Sequence, residues 1–195
     1  ARLLLDAARR GARGELQAMT QVVGEAREAV SFSHAILDTA LANLSQGIAV
    51  IDGGRIRQID TPREIYERPQ GRFAAEFIGE SAFVGVDVAA GACAFNGVPL
   101  KLGETPEGEG RRTLMIRPER LRILSGEKPD DLNQLPAMVL SSIYQGDSVS
   151  IQAALADGTK VTVRETAGGR MPAPGASLLL GLAAADTYLL PEEAR

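Results

Sequence analysis

At 195 residues the chain has room for one ordinary domain plus a smaller element, since domains cluster at about 100–150 residues. Its 45% hydrophobic and 24% charged residues fit a folded soluble protein, and 4% aromatics with no Trp leave a mostly aliphatic core. A net charge of −4 argues against a broad grip on nucleic acid. One Cys and one His are too few for an intrachain disulfide or a structural zinc site, and the longest apolar run, ASLLLGLAAA, falls short of the roughly 18–20 residues of a membrane span.

The first 46 residues contain no Pro and are rich in Ala, Leu, Glu and Arg, so helices are predicted there. Leu16, Met19, Val22 and Val23, then Ile36, Leu37, Ala40, Leu41 and Leu44, recur at spacings of three and four and form an amphipathic stripe. Gly11, Gly14 and Gly24 interrupt the first stretch, and Ser31 or Ser33 is the expected cap of the second. The opening ARLLLDAARRGARG is not a secretory leader, and because it starts with Ala1 the chain is read as a fragment.

From Gly47 the texture changes. GIAVID reads as a strand, Gly53-Gly54 as a two-residue turn, and RIRQID as the returning strand of a hairpin. TPRE then offers Thr61 as N-cap, Pro62 at the first helical position and Glu64 as the far arm of a capping box, on a helix ending at Pro69. A second short helix follows in GRFAAEFIG, with Phe73 and Phe77 four apart and Gly79 as its expected C-cap.

Beyond residue 80 the chain reads as short strands: FVGVDV, ACAF, VPLKL, RTLMI, RLRIL, PAMVLSSIY, DSVSIQAAL, KVTVRE, SLLLGL and TYLL. Asn96-Gly97 and Asp157-Gly158 are hairpin turns, because these residues tolerate left-handed backbone angles. The fold class expected is mainly β, a small barrel of short antiparallel strands behind a helical N-terminal segment and a hairpin–helix junction. The boundaries expected are 1–46, 47–80 and 81–195.

No G-x-x-x-x-G-K-[ST] loop occurs, and no G-x-G-x-x-G follows a strand, so no means of cradling nucleotide phosphates is visible. LSQG at 44–47 and LSG at 124–126 do not continue into the Gly-Gln and helix of an ATPase signature loop and are read as chance matches. His34, the sole histidine, is weighed as a general base or switch against an ordinary helix residue. No Ser, Cys or Asp partner lies at a motif spacing, which favours the second. Cys93 is expected to pack as a small apolar side chain, and Asp130 and Asp131 to mark a solvated loop rather than a metal site. No catalytic, cofactor-binding or metal-binding residue is assigned.

Taken together, IAVIDGGRIRQIDTPREIYERPQGRFAAEFIGESAFV (48–84) resembles the end of the nucleotide-binding domain in ATP-binding cassette importer ATPases of the polyamine, maltose and iron type. LMIRPERLRIL (114–124) resembles the Arg-Pro-Glu strand of that family's transport-associated OB-type (TOBE) domain. Residues 141–165 and 174–191 resemble its later strands in the same order. The resemblance implies a regulatory domain that helps two ATPase subunits pair, with permease and ATPase subunits, or a second copy, as partners. It implies a cytoplasmic protein at the inner face of the membrane and a solute such as a polyamine. Arg117 and Glu119 would then orient a strand connection or interface, while Tyr144, Gln145 and Gly146 would shape a barrel loop.

Upstream the likeness fails. ATP and Mg serve the complete family, yet the phosphate loop, signature loop and catalytic glutamate are missing here. LLLD at 3–6 is followed by Ala7 where the family places that glutamate, and His34 lacks the Thr-His-Asp context of the switch histidine. No ATP site is therefore expected in this chain. Residues 15–52 also resemble the helical linker and first strand of a PAS sensor domain, which leaves a signalling fusion open. A free-standing OB-type module for a small anion or oligosaccharide is the other alternative.

Overall fold

The computed structural model describes residues 47–124, 129–166 and 171–191. The helices expected within residues 1–46, with Ser31, Ser33 and His34, and most of the chance match at 124–126 lie outside them. Apart from Gly47, the described residues belong to one compact unit, Ile48–Arg195.

The junction forms as local chemistry dictates. Strands β1 (Ile48–Asp52) and β2 (Arg55–Asp60) pair antiparallel across Gly53 and Gly54, whose φ angles of 55° and 75° suit a tight hairpin turn. Helix α1 (Pro62–Glu67) starts at Thr61, whose hydroxyl accepts the Glu64 N–H at 3.2 Å. The reciprocal arm differs from the capping box expected: the Thr61 N–H donates to Asp60 Oδ1 at 2.9 Å, so the neighbouring aspartate takes the role foreseen for Glu64. Helix α2 (Arg72–Ile78) ends at Gly79, whose backbone is extended (φ 176°) rather than left-handed. Gly79 is there for space: a Cβ would lie 3.0 Å from Tyr66 Cε2 and 3.2 Å from Arg117 Nη1.

The remaining strands make two five-stranded antiparallel sheets. One runs β12-β6-β3-β4-β5 and is built from β3 (Ala82–Ala89), β4 (Ala92–Phe95), β5 (Val98–Leu100), β6 (Gly110–Ile116) and β12 (Tyr188–Leu189). The other runs β10-β9-β8-β11-β7, from β7 (Leu121–Ile123), β8 (Leu132–Tyr144), β9 (Ser148–Leu155), β10 (Lys160–Thr166) and β11 (Ser177–Ala183). Their facing residues share one core, in which Val86, Leu114 and Ile116 of the first sheet meet Val163, Leu180 and Leu182 of the second. Strict alternation carries this: β9 buries every second residue from Val149 to Leu155 and turns Ser148, Ser150 and Gln152 outward. Cys93 packs in the same core, as expected of an apolar thiol.

Strand β8 begins four residues earlier than the sequence suggests, because Pro136 does not stop it. Residues 132–136 pair with β11, whereas the register with β9 starts at Ala137, so the proline sits where the ladder is one-sided. The outer strands β7 and β10 approach each other, and the Ile123 N–H donates to Glu165 Oε1 at 3.0 Å. The second sheet thereby curls almost onto itself, giving a mainly β, barrel-like fold behind the hairpin and two helices.

Candidate functional site

Helix C-termini leave carbonyls without intrahelical partners, and neither α1 nor α2 carries a basic residue in its last turn. The cation comes from far along the chain. Arg117 stands between β6 and the 3-10 turn Pro118–Arg120, and only 4% of it is exposed. Its Nη2 donates to the Tyr66 carbonyl of α1 at 2.8 Å, and its Nη1 to the Ala75 carbonyl of α2 at 3.1 Å. Nη1 also reaches Ser81 Oγ at 2.7 Å and the Glu80 carbonyl at 3.3 Å, on the connection into β3. The negative ends of two short helices thus converge on one buried guanidinium, an arrangement favoured by charge as well as by hydrogen bonding.

Tyr66 closes the other side. Its ring lies under the guanidinium, 4.1 Å from Cζ to the centroid, and its hydroxyl donates to Glu119 Oε1 at 2.6 Å. Arg117 and Glu119, which bracket Pro118 in the Arg-Pro-Glu stretch, therefore hold one tyrosine by its main chain, ring face and phenol.

A second buried polar side chain fastens α1 from the hairpin. Gln58 donates from Nε2 to the Arg68 carbonyl at 3.3 Å and accepts the Gln70 N–H on Oε1 at 2.9 Å. Further contacts secure the junction to the barrel. Arg72 lies over the Phe83 ring at 4.5 Å, Ala75 packs with Met115 and Leu190, and the Tyr188 hydroxyl donates to the Pro69 carbonyl at 3.3 Å. Burial pushes the Tyr188 phenol above its ordinary value, and the nearby Arg68 opposes that only partly. Arg68 itself is paired with Glu104, whose hydrogen bond raises its pKa.

Tyr144, Gln145 and Gly146 occupy a different setting, the turn from β8 to β9. Gly146 takes φ +95°, the Gln145 N–H donates to the Ser148 carbonyl at 2.8 Å, and Tyr144 is exposed. Sequence reasoning missed Gln58, Asn133 and Tyr66. The first two are buried polar residues whose partners lie in other elements; alternation along β8 hints at the inward orientation of Asn133, whereas the register shift in the hairpin breaks alternation in β2 and hides Gln58.

Opposite the buried side of the hairpin, Ala49, Ile51, Ile56 and Ile59 share an exposed face, with the three isoleucines 58%, 61% and 63% exposed. Phe73 and Phe77 stack with ring centroids 6.3 Å apart and are likewise exposed. Among the described residues no group of three His, Cys, Asp or Glu is placed to hold a metal ion, and no helix is long and apolar enough to cross a membrane.

Residues 114–190 match the family model described as the TOBE domain. The spermidine/putrescine import ATP-binding protein PotA of Ruegeria pomeroyi is 37% identical over 130 residues, covering 63% of this chain and 34% of that protein. PotA 1 of Pseudomonas aeruginosa is 34% identical over 190 residues, 90% of this chain and 48% of the relative. PotA of Pseudomonas fluorescens is 35% identical over 165 residues, 80% and 42% respectively. The chain thus spans between about a third and a half of these relatives' length. A molybdate-bound form of the cytoplasmic molybdate-binding protein ModG is similar at a TM-score of 0.38 and 20% identity, covering 58% of this chain and 88% of that one. Homology to PotA in the C-terminal region, together with the TOBE match, identifies the resemblance as one to the C-terminal part of ABC importer ATP-binding subunits.

Proposed function

We propose that this chain serves as the regulatory, associating part of an ABC importer ATP-binding subunit and supplies no nucleotide chemistry of its own. The exposed apolar face of the hairpin carries this reading. A two-stranded ribbon is marginal in water, and four apolar side chains on one exposed face call for a cover. An ATP-binding core, joined to this chain or supplied by another subunit, is the cover that the PotA likeness favours. The barrel then works as a regulatory arm beside that core, on the cytoplasmic side of a permease, during import of a small solute such as a polyamine. Absence of a phosphate loop from the 195 residues agrees with a role in association.

The test is sedimentation of the purified chain with the full-length Ruegeria pomeroyi relative. A complex that weakens in an Ile56→Asp, Ile59→Asp variant is expected, because both substitutions charge the exposed face without touching the core. Submicromolar ATP binding by the chain alone, or no complex with the relative, would sink the proposal.

A further inference from the structure

We propose that Arg117 is a rigid coupling: it locks the hairpin–helix unit to the barrel so that a displacement of one is carried to the other. Sequence favours the opposite. The helices are separated by a Pro69–Gly71 connection and leave through Gly79, and short glycine-containing links are where hinges are usually placed.

The geometry removes that freedom at both links. At the first, the Tyr66 and Arg68 carbonyls at the end of α1 are taken by two different elements, Arg117 of the barrel and Gln58 of the hairpin. At the second, the Tyr66 ring and the Arg117 guanidinium close off the space beside Gly79, where a Cβ would meet them at 3.0 and 3.2 Å. The Glu80 carbonyl and Ser81 hydroxyl just beyond are bound to the same guanidinium. A rotation of the barrel about either link has to break several of these bonds together, around a guanidinium that is itself only 4% exposed.

The elements therefore form a continuous relay. It runs from the 3-10 turn of the barrel through Arg117 to the end of α1, then through Gln58 to β2 and the exposed isoleucine face. Glu119 adds a second attachment two residues away, through the Tyr66 hydroxyl. A two-point hold of this kind fixes an angle, which a single bond does not.

The experiment measures distance across the junction in the full chain. Spin labels replace Arg63 on α1 and Lys160 on β10, both exposed, in a Cys93→Ala background. The parent is expected to give one narrow distance distribution. R117M should widen it about twofold, as a released hinge does, while amides of the barrel core keep their exchange protection. R117K, with one cation but no fork, should lie between. An R117M distribution as narrow as the parent's, in a folded barrel, overturns the proposal. If R117M does not fold, R117K, whose single ammonium cannot reproduce the two-nitrogen fork to the Tyr66 and Ala75 carbonyls, is read the same way: widening supports the coupling and an unchanged distribution overturns it.

Discussion

The carboxamide of Asn133 and the main chain of Lys101 exchange two hydrogen bonds: the Lys101 N–H donates to Asn133 Oδ1 at 2.6 Å, and Asn133 Nδ2 donates to the Lys101 carbonyl at 2.8 Å. Asn133 stands near the start of β8 and Lys101 directly after β5, so a side chain copies a strand pair between the two sheets. Only Asn or Gln presents donor and acceptor in that arrangement, and Gln is one methylene too long for the same position. Asn133→Leu leaves the Lys101 N–H and carbonyl stranded and is expected to lower stability by about 2–3 kcal/mol. Asn133→Asp, which loses the donor and brings a charge to a buried position, is expected to lower it at least as far. Urea unfolding of the three proteins checks the order.

Two glycines predict unequal responses to the same added methyl. At Gly103 a Cβ would meet the Ala184 carbonyl oxygen at 2.8 Å and the Ala185 Cα at 3.0 Å, both main chain, so Gly103→Ala should cost about 1–3 kcal/mol. At Gly85 the obstacle is the flexible Arg111 head, 2.5 Å away, which is held to Asp87 at the surface. Gly85→Ala should cost less, because the guanidinium can step aside. Thermal denaturation of both variants against the parent decides this.

The Cys93 thiol is raised above its ordinary value, first by burial and then by the charge of Asp87. Both effects withhold the thiolate. Alkylation at neutral pH should be negligible in the folded protein and rapid in denaturant, as read by mass spectrometry. Stoichiometric labelling of the native protein would contradict the packing of β4.

The raised phenol of Tyr188 gives stability an alkaline limit. The folded state holds the proton more tightly than the unfolded one, so the contribution is complete below the ordinary tyrosine value of about 10. It is lost as pH rises through the higher folded value. Denaturation between pH 9 and pH 12, taken as approximate bounds around that tyrosine value, should show a decline that is smaller in Tyr188→Phe. That variant forgoes only the bond to the Pro69 carbonyl.

At the barrel seam, Glu165→Ala should expose the Ile123 amide and speed its hydrogen exchange more than that of Leu180, which lies in the interior of the same sheet. Glu165→Gln keeps an acceptor oxygen and should keep most of the protection. Equal exchange in all three proteins would mean that the seam is closed by something other than this carboxylate.

The turns were legible in the sequence because each is decided by a few neighbouring residues. Gly53-Gly54 and Asn96-Gly97 both take positive φ at both positions, the geometry that a two-residue hairpin needs. Thr61 caps α1 for the same local reason. Burial along β9 was legible from alternation alone. Less visible were the true start of β8, which overrides a proline, and the reason for Gly79, which is crowding rather than backbone angle.

Sequence by itself therefore determined where the chain turns, which faces of its strands go inward, and that 195 residues offer no phosphate loop. Tertiary structure alone decided which polar side chains are buried and what they hold. Arg117 finds the Tyr66 carbonyl 51 residues away, Glu165 meets Ile123 at a distance of 42, and Asn133 meets Lys101 at 32. Turn chemistry acts through dihedral preferences of adjacent residues and is written locally. A buried polar group is tolerated only when distant strands and helices deliver a partner to it, and that delivery exists only once the sheets have packed.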